Sequence, residues 1–232
     1  MVEVHTHPIK PTPLMPNSPH LLIHYPGLLR AKMEHPNFAR ADLYDLFASN
    51  GWELQWQARY GPTQSAHYHS TAHEAMAVVS GRGATIRFGV ADTTDDEEEN
   101  THGNGYEPGG VEIHASKGDV FIVPAGVAHK TYDPKPDSPG ITFHQCKDEN
   151  GVVIRDQVKA RKFFEDIEDD EHFQMIGGYP SKSDWDFAVG GQHRGREKQI
   201  WSVPKPEKDP VLGDSPEGLV GLWEENPLLS KS

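Results

Sequence analysis

Three histidines and one glutamate are spaced along this chain in a way that could bind one divalent metal ion. They are His67, His69, Glu74 and His129. Alternate side chains of a strand point to the same face, so His67 and His69 would direct both imidazole rings to one side, about 6.6 Å apart along the chain. Imidazole and carboxylate together suit Fe, Mn, Ni, Zn or Cu. The spacing therefore predicts one divalent metal ion of undetermined identity, with a coordination position left open.

Glu74 begins an alternating row of side chains. Because side chains alternate along a strand, Glu74 shares a face with Met76 and Val78. This face would line a cavity, with one carboxylate at its start followed by apolar side chains. A buried carboxylate without a partner is costly, which favours a ligand role. His73, one residue earlier and in the opposite phase, is the alternative ligand.

Short strands and tight turns must position these four side chains. The chain contains 22 Gly and 19 Pro, which interrupt its aliphatic runs as in strands joined by turns rather than in a helical bundle. His129 follows the turn made by Pro124 and Gly126 and enters a returning strand. The pattern predicts an all-β sandwich or barrel, with a few short helices near 41–50 and 155–169. The predicted strands are 20–25, 52–60, 67–69, 74–80, 84–90, 111–114, 119–123, 128–132, 141–146 and 173–176.

Further polar side chains lie on predicted strands or turns that could face the same cavity. Four of them are candidates for a catalytic acid or base, namely Tyr60, Tyr132, His144 and Tyr179. The segment 184–186 (Asp-Trp-Asp) could form part of the cavity rim. We identify no binding motif for an organic cofactor.

The chain is predicted to contain one barrel domain, 20–194, between two extended ends. Repeated prolines predict a flexible N-terminal segment over 1–19, and the Pro-rich segment 195–232 is predicted to be an arm that packs on the barrel or on a partner subunit. Within the barrel, the acidic stretch 92–110 lacks apolar periodicity and predicts a mobile, solvated loop. A second stretch, 134–170, directly follows the predicted strand of His129 and could reshape or cover the mouth of the cavity.

Charge and composition limit the partners that we expect. A net charge of −13 argues against nucleic acid, because a phosphate backbone attracts a basic stripe. No stretch approaches the roughly 20 apolar residues of a membrane span. The N-terminus lacks the apolar core of a secretory signal, and a single cysteine, Cys146, excludes an intrachain disulfide framework. These features predict a cytoplasmic protein whose partner is a small molecule.

The two blocks that contain the predicted ligands resemble the two conserved motifs of the cupin superfamily. One departure is Asp133, which stands where the family pattern has Asn, and that position is not a metal ligand in the pattern. The resemblance implies a cupin double-stranded β-helix, a jelly-roll barrel with the metal inside, and it also implies a possible homodimer. The blocks read Gly61-(five)-His67-Tyr68-His69-(four)-Glu74-(six)-Gly81 and Gly118-(five)-Pro124-Ala125-Gly126-(two)-His129.

The chain is also similar to a narrower branch, the YjlB-like monodomain cupins, in a fungal-type form with insertions. The similarity extends from about residue 20 to the end of the chain. The segments that carry it are NGW (50–52), HYHSTAHE (67–74), SKGDVFIVPAGVAH (116–129), GGYPSKSDWD (177–186) and VPKPEKDPVLG (203–213).

An open coordination position predicts a metal-dependent enzyme that acts on a small organic molecule. Dioxygenase-type oxidation is the leading hypothesis, because an open face can accept an enolate or catecholate together with O2. Two alternatives remain. One is a non-redox isomerase or decarboxylase that uses the metal as a Lewis acid, and the other is a metal-dependent binding or structural protein without catalysis. The fold does not decide between them, since cupins perform many functions.

Overall fold

The chain folds into two antiparallel β-sheets with a few short helices. The computed structural model describes residues 1–168 and 170–223. The strands are β1 (His5–His7), β2 (Leu22–Tyr25), β3 (Trp52–Arg59), β4 (Glu74–Ser80), β5 (Gly83–Phe88), β6 (Val111–Ala115), β7 (Val120–Val123), β8 (His129–Lys135), β9 (Thr142–Gln145) and β10 (Gln174–Pro180).

The seven strands of the larger sheet follow the order β1-β2-β7-β4-β10-β3-β9, and the smaller sheet has the order β6-β5-β8. The two sheets form a jelly-roll arrangement, as the resemblance implied. The helices are α1 (Arg30–Met33), α2 (Ala41–Ser49), α3 (Glu97–Thr101), α4 (Gln157–Asp166), α5 (Glu197–Trp201) and α6 (Leu219–Leu222). None of the helices in the described part of the chain has the length and apolarity that a bilayer crossing requires.

The central strands of the larger sheet are buried on both faces, which explains why β7 is a continuous apolar run. Val120 and Ile122 pack in one cluster with residues of α2 and α4, such as Phe47. Phe121 and Val123 point to the opposite face and pack in a second cluster between the two sheets. A strand with both faces buried needs no polar alternation. The second cluster lies beside the candidate site and forms its support.

The N-terminal segment contains regular structure, contrary to our prediction for residues 1–19. Strand β1 pairs with β2 in the register His5↔His24 and His7↔Leu22. Met15 is fully buried. The prolines led us to predict no regular structure here. A three-residue edge strand is stabilised by pairing with its neighbour, so its own sequence carries little signal.

The acidic stretch 92–110 also contains a helix where we predicted a solvated loop. Helix α3 begins after Asp96, whose carboxylate accepts the backbone N–H groups of Glu98 and Glu99. Glu107 is buried and accepts hydrogen bonds from Thr12 Oγ1 at 2.6 Å and from the backbone N–H of Ala91 at 3.1 Å. Capping and long-range hydrogen bonds of this kind leave no apolar period in the sequence.

Smaller differences concern the ends of elements. His67 and Tyr68 form two isolated bridges rather than a strand over 67–69, and β10 extends to residue 180, beyond the predicted end at 176. Helix α4 is shorter than the predicted 155–169, and residue 169 lies outside the described residues.

The C-terminal arm, as far as residue 223, packs against the same chain. Trp201 Nε1 donates to the Pro16 carbonyl at 2.6 Å, and Trp223 Nε1 donates to the Leu21 carbonyl at 2.8 Å. Residues 224–232 of the predicted arm lie outside the described residues.

Candidate metal centre

Three of the predicted ligands form one buried cluster. Ring nitrogens of His67, His69 and His129 all lie within 4.8 Å of one another. The backbones of His67 and His129 are hydrogen-bonded to each other in both directions, with N···O distances of 3.2 and 2.8 Å. Two residues paired in this way direct their side chains to the same face. The short bridge therefore brings together imidazoles that are far apart in sequence.

Glu74, the fourth predicted ligand, lies against this cluster from the start of β4. Its Oε1 atom is 3.2 Å from His69 Nε2, and its Oε2 atom is 3.2 Å from His129 Nε2. The carboxylate side chain is only 2% exposed. The structure thus places the carboxylate between two of the imidazoles, at the inner end of the row that continues through Met76.

Backbone carbonyls fix which nitrogen of each imidazole is free. The Nδ1 atom of His67 lies 3.1 Å from the Ser65 carbonyl oxygen, and that of His129 lies 3.3 Å from the Val127 carbonyl oxygen. His69 Nδ1 contacts the carbonyl oxygen of Asp186. A carbonyl only accepts, so each Nδ1 carries the proton and each Nε2 keeps a lone pair. This is the tautomer that a metal-binding histidine needs.

The donor set and its charge state fit a divalent cation. Nε2 of His69 and Oε2 of Glu74 are buried without a hydrogen-bond partner. Burial alone would raise the pKa of Glu74, but His69 and His129 hold that pKa well below its usual value. Burial, followed by the neighbouring His129 and His69, lowers the pKa of His67 well below its usual value. Burial alone would lower the pKa of His69, but the charge of Glu74 raises it, so a cation bound here would displace a proton from the His69–Glu74 pair.

Tyr179 holds the outer side of the Glu74 carboxylate. Its hydroxyl donates to Glu74 Oε1 at 2.6 Å and accepts a hydrogen bond from Trp56 Nε1 at 3.1 Å. Burial, and then the negative charge of Glu74, raise the pKa of Tyr179 well above its usual value, so the phenol keeps its proton. Tyr60 lines the same cavity, and burial likewise raises its pKa. Two of the four predicted acid or base candidates therefore lie at the centre.

The other two candidates, Tyr132 and His144, lie elsewhere. Tyr132 donates to Glu112 Oε1 at 2.7 Å. It follows His129 by three residues in β8, so the two side chains point to opposite faces of the strand. His144 is paired with Gln57, and both line a different cavity of about 600 Å³. Because directly paired residues share a face, His144 follows Gln57 away from the metal centre. Neither side chain lines the cavity above the candidate centre: Tyr132 lies on the other face of its strand, and the face of His144, which the sequence left open, is the one turned away from the centre.

His73, the alternative ligand, points away from the cluster. Its Nδ1 accepts the backbone N–H of Ala125 at 2.9 Å, and its Nε2 lies 3.3 Å from the Val203 carbonyl oxygen. Burial and the neighbouring His20 lower the pKa of His73 to about 3, so the ring is neutral. Both ring nitrogens of His73 therefore have hydrogen-bond partners. Through Ala125, His73 links the start of β4 to the turn that precedes His129.

A cavity of about 250 Å³ opens above the centre, and the sequence predicted only part of its wall. Ile141 and Phe143 line it, and they belong to the stretch 134–170 that we expected at the cavity mouth. Trp185 also lines it, within the predicted rim segment 184–186. Phe187 was missed, although its ring stacks on His67 with the centroids 4.1 Å apart. The carbonyl of Asp186 was missed as well, because a backbone group leaves no signal in the residue types.

The chain is similar to several known proteins in sequence or in structure. A family model described as Cupin matches residues 61–171. The uncharacterized protein YjlB of Bacillus subtilis (strain 168) is 25% identical over 176 residues, which cover 75% of this chain and 73% of YjlB. Among solved structures, the vicilin from Solanum melongena aligns with a TM-score of 0.32 and 12% identity, over 80% of this chain and 44% of the vicilin. RmlC from Streptococcus suis aligns with a TM-score of 0.32 and 10% identity, over 88% of this chain and 94% of RmlC.

Two antiparallel sheets around a buried histidine cluster define a jelly-roll protein with a candidate metal site. The matched family model covers His67, His69, Glu74 and His129 together with strands β4 to β9. The chain is similar to the cupins over residues 61–171 and to YjlB over 176 residues.

Proposed function

We propose that this protein is a cupin and a metal-dependent enzyme that oxidises a small organic molecule with O2, in a dioxygenase-type reaction. One observation supports the proposal above the others. Three Nε2-directed imidazoles and an ionised carboxylate converge below a cavity with room for a ligand. Such a set leaves positions free on a bound cation. His67, His69, Glu74 and His129 would hold the ion.

When bound, a divalent redox-active ion would supply Lewis acidity and electron transfer. The protein's own residues perform the remaining tasks. Tyr179 keeps its proton and holds Glu74 in place through the 2.6 Å hydrogen bond. The apolar wall around the cavity excludes water, which strengthens the electrostatic interactions inside it. Tyr60 holds a second phenolic proton within the same cavity.

Metal content and oxygen uptake test the proposal together. We expect natively purified protein to contain close to one divalent ion per chain by elemental analysis. After removal of that ion and reloading with Fe, Mn, Ni, Cu or Zn, O2 consumption is measured with a panel of small enols and catechols. Uptake with a redox-active metal and none with Zn supports the proposal.

Two results would instead favour the alternatives. Substrate conversion at equal rates with Zn would replace oxidation by non-redox isomerisation or decarboxylation, because Zn has no redox chemistry. Ligand binding that requires the metal but leads to no turnover would favour a binding protein.

A further inference from the structure

The cavity above the metal centre has walls made mostly of aromatic rings. Six aromatic side chains line it, namely Trp56, Tyr60, Phe143, Tyr179, Trp185 and Phe187. Trp185 stacks on Tyr179, with ring centroids 5.4 Å apart and the rings inclined by 13°. Aromatic rings favour contact with other flat π-systems, in offset-stacked or edge-to-face arrangements. The wall therefore suits a planar ligand.

The mouth of the cavity exposes apolar side chains to solvent. Ile141 is 53% exposed, Phe143 is 44% exposed and Phe187 is 57% exposed, and all three line the cavity. Large exposed apolar groups that are grouped together mark a surface that binds something. The position of these three at the entrance to an enclosed volume points to a small molecule that enters the cavity.

Charge in the cavity is confined to its metal-binding end. Among the described residues that line it, Glu74 is the carboxylate, and none is a lysine or arginine. Lys147 is near the mouth, where its Nζ lies 5.8 Å from the centre of the Trp185 ring, but it does not line the cavity. Phosphate groups are recognised by arginine, lysine or helix N-termini. A phosphorylated ligand would find no such partner inside.

We infer that the substrate of this site is a small, planar, largely apolar molecule that carries oxygen donors at one end and no phosphate group. The inference rests on the proposed metal centre, which would take the oxygen donors. The cavity volume of about 250 Å³ corresponds to a single-ring compound rather than a nucleotide. Sugars fit poorly, because their hydroxyl groups would lose hydrogen bonds to water against an aromatic wall.

Binding to the Zn-loaded full-length protein tests the inference without any turnover. We use 4-methylcatechol as a planar oxygen donor and glucose 6-phosphate as a polar, phosphorylated probe, and measure both by calorimetry in the absence of oxygen. We expect 4-methylcatechol to bind and glucose 6-phosphate to show no binding. Phe143→Lys should weaken 4-methylcatechol by about tenfold, because it replaces a ring contact with a hydrated charge.

Val158→Lys is the matched control, since Val158 is an exposed apolar residue on α4 that does not line the cavity. It should bind 4-methylcatechol like the wild type, and the metal content of both variants should be unchanged. Binding of glucose 6-phosphate as tight as that of 4-methylcatechol would overturn the inference. So would an unchanged affinity in Phe143→Lys.

Toluene, which lacks the oxygen donors, separates a failure of the cavity from a failure of the metal centre. Its contact with the protein is followed by saturation-transfer NMR with and without metal. If the protein holds no metal, the proposed function fails, yet toluene contact that is reduced in Phe143→Lys alone still supports an apolar ligand. If metal is bound and neither toluene nor 4-methylcatechol makes contact, the inference about the substrate is wrong and the metal proposal stands.

Discussion

At the scale of single residues, the candidate centre depends on hydrogen bonds made away from the cluster. Carbonyl oxygens of Ser65, Val127 and Asp186 accept hydrogen bonds from the Nδ1–H groups, which directs the Nε2 atoms to a cation. Two buried polar atoms at the centre have no hydrogen-bond partner, and a cation would satisfy both. Protein groups alone therefore leave part of the hydrogen-bonding capacity of this cluster unsatisfied.

Removal of a predicted ligand should remove the metal. We expect His129→Ala and Glu74→Ala to lose stoichiometric metal while keeping the fold, because each deletes one donor and leaves the strands paired. Elemental analysis and circular dichroism measure the two effects. His73→Gln is the control, since His73 binds Ala125 and Val203 rather than the cluster, and it should retain metal. Loss of metal in His73→Gln would show that the phase assigned to β4 is wrong.

Tyr179→Phe should weaken metal binding while the direct ligands stay intact. The change removes the 2.6 Å hydrogen bond to Glu74 and leaves Trp56 Nε1 without its acceptor. Loss of a hydrogen bond that orients a ligand typically lowers metal affinity by about 10–100-fold. Competition with a chelator measures it. Tyr60→Phe is the matched control, because it removes a phenol of the same cavity that makes no hydrogen bond to Glu74, and an equal loss there would contradict the assigned role.

At the scale of elements, the buried carboxylate of Asp119, which directly precedes β7, links that strand to β2. Asp119 accepts the backbone N–H groups of Gly27 at 2.7 Å and of Ser116 at 2.9 Å, and His24 Nε2 lies 3.2 Å from its Oδ2. Burial alone would raise the pKa of Asp119, but these contacts, with that of His24 the strongest, hold it below the usual 3.8. The ionised form is therefore stabilised by folding.

A lowered pKa in the folded state gives a stability that depends on pH in a known direction. The contribution of Asp119 should be complete above pH 3.8, its unfolded value, and should disappear as the pH falls through the lower folded value. Asp119→Asn should therefore be less stable than the wild type at neutral pH, with the difference shrinking in acid. Urea unfolding from about pH 6 to about pH 3 measures this difference. Asp95→Asn, at an exposed position, is the control, and the prediction fails if both variants behave alike.

The sequence predicted which side chains cluster at the candidate centre, and most strands, because both depend on local spacing. Strand β4 has the predicted bounds, 74–80, and α2 differs from the predicted 41–50 by one residue. The sequence also contained the information that decides which face of β8 each side chain occupies. His129 and Thr131 share one face, so Tyr132 must occupy the other.

Other features of the site depend on which strands lie side by side. The face of His144 is fixed by its pairing with Gln57, which the sequence of β9 alone does not contain. The position of Phe187 over His67 joins segments more than a hundred residues apart. Contacts of this kind arise from tertiary packing, and a single sequence carries no periodic signal for them.

At the scale of the whole molecule, the C-terminal arm is fastened to the sheet through one buried carboxylate. Asp209 is fully buried and accepts the backbone N–H groups of Val211, Leu212 and Leu219. Tyr25 of β2 donates its hydroxyl to Asp209 Oδ2 at 2.5 Å. The same side chain thus shapes the turn of the arm and ties it to the barrel.

Tyr25→Phe should loosen this attachment. The change leaves a buried carboxylate oxygen with one hydrogen bond fewer, and a hydrogen bond to a charged group contributes about 1.5–3 kcal/mol. We expect the free energy of unfolding to fall by about that amount in urea, with metal content unchanged, because Tyr25 lies in the core cluster on the far face of the sheet. Tyr106→Phe is a control outside that cluster. Equal losses in the two variants would contradict a special role for the Asp209 contact.

The segment that contributes Trp185 and Phe187 to the cavity also holds His69, through the carbonyl of Asp186. Asp186 is in turn fixed by Ser70, whose backbone N–H and hydroxyl both donate to its carboxylate at 2.6 Å. Anything that orders this segment from the cavity side also orders an imidazole of the centre. If the centre binds a cation and the cavity binds an organic molecule, we therefore expect cooperative binding, in which each raises the affinity for the other by the same factor.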